Sequence, residues 1–130
     1  MKIQHLEPSA AQKARAFSPA VITEGGRTVW LAGQTATVDL DGRDISRDFD
    51  AQARAVFGLL GRTLERAGGT LADMVTMTVF ITDPRMGDRF VEIRRELFPE
   101  GRYPASALIT VSNFARPGIL IEIQGVAVLA

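Results

Sequence analysis

Apolar and polar residues alternate along two stretches of the chain and recur at three- and four-residue steps along two others. The segment "VITEGGRTVWLAGQTATV", residues 21 to 38, carries two β-rich runs around Gly25-Gly26, a pair that permits the positive φ angles of a tight reversal, and it predicts a β-hairpin. "DLDGRD" is turn chemistry. From Phe49 onward Phe49, Ala53, Val56, Phe57, Leu60 and Leu64 keep helical spacing, with Asp48 placed to cap the start and Gly68-Gly69 to end the helix in a left-handed residue. "VTMTVFIT" then alternates, with Val75, Met77, Val79 and Ile81 on one face and Thr76, Thr78, Phe80 and Thr82 on the other. Asp83-Pro84 reads as N-cap and first-turn proline of a second helix running towards Phe98. The closing segment, residues 102 to 128, reads as two strands joined by a Pro-Gly turn.

If the short "IQHL" near the N-terminus also pairs, the order is β-β-β-α-β-α-β-β. That order predicts one domain over residues 1–130, of the α+β class, with a single mixed sheet and two helices packed on one of its faces. Two helices cover only one face. The last strand would present Leu120, Glu122, Gln124, Val126 and Val128 on the other, a half-apolar surface for which the chain has no further element, so self-association into a closed cyclic oligomer is expected.

Composition removes several kinds of chemistry. Fifteen basic residues balance fifteen acidic ones, so no general attraction to nucleic acid or to an anionic membrane is expected. With no cysteine and one histidine, His5, there is no thiolate nucleophile, no disulfide, no multi-histidine metal centre and no Ser-His pair built elsewhere in the chain; no cofactor is expected. "MKIQHLEPSA" lacks the apolar core of a signal peptide, which places the expected location in the cytoplasm.

Glu122 is the strongest single signal, because a carboxylate inside the most apolar run is costly to bury unless it is paired, hydrogen-bonded or used. An interface ion pair and a solvent-facing glutamate are the alternatives. Ser106 has no base beside it in any visible motif, which argues against a nucleophile. Arg116 is a loop cation able to clamp an anion near an interface. Gly33, inside a strand, marks a bulge or a close approach by another strand or a ligand.

Taken in order, "FSPAV" at 17 to 21, "AGQ" at 32 to 34, "AGGTLADMV", "TMTVFITD", "YPAS" at 103 to 106 and "LIEIQGVAV" at 120 to 128 resemble the Rid family, also called the YjgF family, over nearly the whole chain. The resemblance implies a chorismate-mutase-like fold, a homotrimer around a central barrel, and a small-molecule ligand in each of three clefts between subunits. It implies hydrolysis of reactive enamines and imines such as 2-aminoacrylate, with Glu122 directing the water, Gly33 lending backbone groups and Phe17 an apolar wall. Members have also been described as ribonucleases or translation inhibitors, a description that charge neutrality does not support.

The departures from the family pattern are equally specific. Ser106 stands where active deaminases carry the arginine that grips a substrate carboxylate, Ala32 replaces a cleft serine, and Val91 an asparagine. They imply a less polar cleft, suited to a ligand without a carboxylate, unless Arg102 or Arg116 takes over the missing charge, or else a fold kept for binding without turnover.

Overall fold

The computed structural model describes residues 1–130. Its elements run β1 (Lys2–His5), α1 (Ala10–Ala14), β2 (Val21–Glu24), β3 (Arg27–Gln34), α2 (Phe49–Ala67), β4 (Met74–Ile81), α3 (Gly87–Leu97), β5 (Ala105–Thr110) and β6 (Ile121–Leu129), with short 3-10 turns at Leu71–Asp73 and Pro84–Met86.

The α+β class holds, but the expected single sheet is two. β1 and β2 form a two-stranded antiparallel sheet, and the main sheet has four strands in the order β3-β6-β4-β5. Gly25 and Gly26 do both take positive φ, at 75° and 79°. They reverse the chain without closing a hairpin: β2 pairs with β1, His5 opposite Val21, while β3 pairs with β6, Trp30 opposite Val126. The two closing strands are likewise not neighbours, since β4 lies between them, antiparallel to β6 and parallel to β5. In both cases a turn signal gave the reversal correctly, but the pairing partner came from elsewhere in the chain.

α2 is built as its sequence dictates. The Asp48 side chain accepts the Ala51 N–H, and Gly68 closes the helix at φ 93° while its N–H and that of Gly69 bond back to Glu65 and Leu64 carbonyls. Phe49, Ala53, Val56, Phe57, Leu60 and Leu64 are all buried. Asp83 caps the 3-10 turn, and α3 proper begins at Gly87. α1, stapled by a reciprocal Ser9–Gln12 capping box, has no counterpart in the sequence expectation because five residues carry too little periodicity to register.

Both long helices face one side of the main sheet. Phe57 stacks on Phe90 at 5.9 Å and meets Phe98 edge-on at 6.0 Å, over Met77, Val79 and Ile81 of β4 and Ile121, Ile123 and Ala127 of β6, all buried. Val75 is only half-buried, because the register slips between Met74 and Thr76. The opposite face is left open. Phe80, Glu122, Gln124 and Val126 lie on it, and Trp30, opposite Val126, is 80% exposed.

Candidate functional site

Strand alternation and one bulge place Glu122. Its neighbours Ile121 and Ile123 point into the helix-side core, so Glu122 faces the open side, opposite Phe80. On its other flank, β3 spends the three steps from Leu31 to Gln34 against two residues of β6, a bulge that contains Ala32 and Gly33. A Cβ at Gly33 would collide with Glu122 Oε2 and lie 3.2 Å from its Cδ. Gly33 has no positive φ, so its need for glycine is steric: the missing side chain is the space in which the carboxylate rests. The close approach expected at Gly33 is thus made by the Glu122 side chain rather than by a neighbouring strand.

Glu122 is half-buried and accepts no hydrogen bond or ion pair from the rest of the chain. Fully buried Gln52 of α2 supports the segment that feeds it, donating to the Ile45 and Gly118 carbonyls at 3.0 and 2.7 Å and accepting the Leu120 N–H at 2.9 Å.

Phe17 and Ser106 lie on adjoining segments elsewhere. The loop after α1 runs alongside β5: Ser18 bridges to Ala105, its N–H bonds Pro104 O and its hydroxyl Tyr103 O at 2.6 Å. Ser106, opposite Met77, faces the helix side of the sheet, whereas Glu122 faces the open side two strands away, about 10 Å across the sheet. Of the five expected site residues, the structure therefore joins Gly33 to Glu122, while Phe17 precedes the Ser18 bridge to β5, the strand that carries Ser106. The fifth, Arg116, is exposed in the loop before β6 and pairs with neither.

Arg94, which sequence reasoning missed, lies against Ser106. Its Nη1 donates to Ser106 Oγ at 2.7 Å, its Nη2 to the Arg15 carbonyl at 2.8 Å, and its guanidinium lies 5.0 Å from the Phe90 ring centre. It is 2% exposed and has no carboxylate partner. Burial first, and the charge of Arg15 second, push its pKa down to about 10, so it remains a cation near neutrality. The signal was present in the sequence: Arg94 continues the buried stripe of Gly87, Phe90 and Val91, where a charge is out of place. Arg102 and Arg116 are both exposed, and the cation within hydrogen-bond distance of Ser106 is Arg94 of α3.

A 690 Å³ surface pocket lies apart from both groups, lined by residues that include Arg47, Asp48, Asp50, Asp83, Met86 and Leu120. Its carboxylates are already engaged. Asp50 is held by Arg89 at 2.7 Å and Asp83 by Arg85 at 2.8 Å, contacts that lower both carboxyl pKa values, while Asp48 caps α2. No group of three or more His, Asp or Glu side chains stands together to hold a metal ion, and no helix is long and apolar enough to cross a membrane.

The family model described as Endoribonuclease L-PSP matches residues 7–129. Among solved structures, the chain is similar to the YyfB protein of Yersinia pestis, a Rid-family protein of unknown function, at 27% identity and TM-score 0.82 over 99% of this chain and 100% of that one. It is similar to RidA from an Antarctic Psychrobacter at 30% identity and TM-score 0.72, covering 94% and 93%. A Mycobacterium tuberculosis member of the YjgF family matches at 28% identity and TM-score 0.68 over 98% and 100%. With a family-model match over residues 7–129 and near end-to-end structural matches in agreement, the chain belongs to the Rid (YjgF) family.

Proposed function

We propose that the protein hydrolyses a small imine or enamine, with Glu122 directing the water, in a cleft completed by a second copy of the chain within a homotrimer. The observation that carries this reading is the Glu122 carboxylate: half-buried, seated where Gly33 has no side chain, and unengaged by any donor of its own chain. A carboxylate spent on structure would be paired. One left free on a partly desolvated sheet face is suited to hold a water and move a proton.

The chemistry balances with that one group. Water attacks the C=N carbon while Glu122 takes its proton; the C–O bond forms and the C=N π electrons move to nitrogen. The proton is then delivered to nitrogen, and the carbinolamine collapses to a carbonyl as its hydroxyl proton passes through Glu122 to the nitrogen and the C–N bond breaks, releasing ammonia or an amine. The open face supports the assembly, because Trp30 and Ile109, exposed at 80% and 42%, flank a sheet surface with Phe80 and Val126. Assembly is also what the site needs, since the Ser106 and Glu122 groups lie on opposite sides of the sheet within one chain. The word endoribonuclease in the family description finds no counterpart in the balanced charge of this chain.

The test is Glu122→Gln, assayed on an imine generated in situ by an amino-acid oxidase. Turnover falls by roughly 10² to 10⁴ while mass and thermal unfolding stay parental. Parental turnover in the variant removes Glu122 from the mechanism. If the wild-type protein binds the imine's keto product but does not accelerate imine hydrolysis, the cleft belongs to a binding protein.

A further inference from the structure

Arg94 is an unusual charge to find in a protein interior. A guanidinium that is 98% removed from solvent is normally accompanied by a carboxylate, because desolvating a cation without a counter-charge costs far more than neutral hydrogen bonds return. Here the acids of α3 and the turn after it are all committed elsewhere: Asp88 to Arg15 at 2.8 Å, Glu92 to Arg89 at 2.8 Å, Glu96 to Arg54 at 3.0 Å and Glu100 to Lys13 at 3.1 Å. Arg94 has only a hydroxyl and a carbonyl as acceptors, and its buried Nε–H has none. The positive charge is therefore uncompensated within the chain, and it is directed at β5 through Ser106.

Ser106 is the part of this pair that a ligand can reach. It is half-buried rather than buried, it accepts from Arg94 Nη1 at 2.7 Å, and its own hydroxyl hydrogen has no acceptor in the chain. A hydroxyl that accepts a charge-assisted bond is polarised into a stronger donor, so the charge of Arg94 is felt at the outer side of Ser106 without the guanidinium itself being exposed.

We propose that Ser106 and Arg94 form an anion-selective pair, in which the Ser106 hydroxyl donates to a carboxylate on the ligand and Arg94 acts through it as a positioning residue and counter-charge. This reverses what Ser106 alone implied, a cleft for ligands without a carboxylate. It rests on the reading above in taking that ligand to be the imine substrate; the pair's preference for a small carboxylate is measurable without turnover.

The experiment measures binding of pyruvate and of pyruvamide, its uncharged amide, to the intact wild-type protein at constant ionic strength by NMR titration. Pyruvate binds about 10- to 100-fold more tightly, the range for one hydrogen bond to a charged group. Ser106→Ala, which removes only the hydroxyl, loses most of that preference, and Arg94→Met loses it by weakening pyruvate far more than pyruvamide. Arg94→Lys, which keeps the charge, recovers part of it. A merely structural Arg94 would weaken both ligands alike, so the ratio separates the two roles. Equal affinities in the wild type, no binding of pyruvate, or a preference that survives Ser106→Ala overturns the proposal. Should Arg94→Met fail to fold, the Ser106→Ala ratio still decides it. A pyruvate preference in a protein that accelerates no imine hydrolysis would keep the anion pair and discard the hydrolase; turnover without the preference would do the reverse.

Discussion

A methyl group at Gly33 would take the space now held by the Glu122 carboxylate, and this makes Gly33→Ala a probe of where that carboxylate must be. The backbone there tolerates alanine, so the cost is displacement of the side chain, about 1 to 3 kcal/mol as for other overpacked sites. Imine turnover is expected to fall with it at least about tenfold, the loss typical when a proton-transfer group is moved; unchanged turnover would mean that the seat of Glu122 is irrelevant to activity. His5 permits a second residue-level prediction. Its Nε2 is buried without a partner, and burial first, then the charge of Arg102, hold its pKa below 6.5 in the folded protein. The unfolded chain therefore binds the proton more readily. Stability contributed by neutral His5 is present above pH 6.5 and is lost as pH falls from there through the lower folded value. Thermal midpoints measured between about pH 5 and pH 7 should rise with pH in the parent and rise less in His5→Gln.

Elements differ in how much of their making is local. α2 was readable from end to end, because period, N-cap and left-handed C-cap all lie within the segment itself. Replacing Gly68, at φ 93°, with alanine is expected to cost about 1 kcal/mol in denaturant unfolding. Strand pairing was not readable, since β2 carries the same alternation whether it lies beside β3 or β1, and register is chosen by which apolar faces the helices cover. The lead-in to β6 depends on a contact sixty-six residues away in sequence, Gln52 to Gly118. Gln52→Leu strands the Leu120 N–H and takes the side-chain donor from the Ile45 and Gly118 carbonyls, which keep the Asp48 and Arg47 N–H groups, and is expected to cost about 1 to 3 kcal/mol, read as a lower urea midpoint at unchanged slope.

On the scale of the whole molecule, the open sheet face makes assembly the deciding property. Light scattering is expected to give about three times the 14.1 kDa chain mass. Trp30→Lys, which places a charge at the β3 edge of that face, is expected to release monomers that keep their helical content and lose turnover, since each chain holds Glu122 and Ser106 on opposite sides of its sheet. A Trp30→Lys protein that stays trimeric would put the interface elsewhere.

By itself the sequence determined the fold class, the two long helices, the open face and the isolation of Glu122 among apolar neighbours, because each follows from periodicity and burial cost within a short window. Only the tertiary structure decided which strands meet, that Glu122 rests in the space left by Gly33, and that the charge beside Ser106 comes from Arg94 twelve residues earlier. These are contacts between segments whose local patterns do not refer to one another, and what selects among them is the competition of the whole chain for one core.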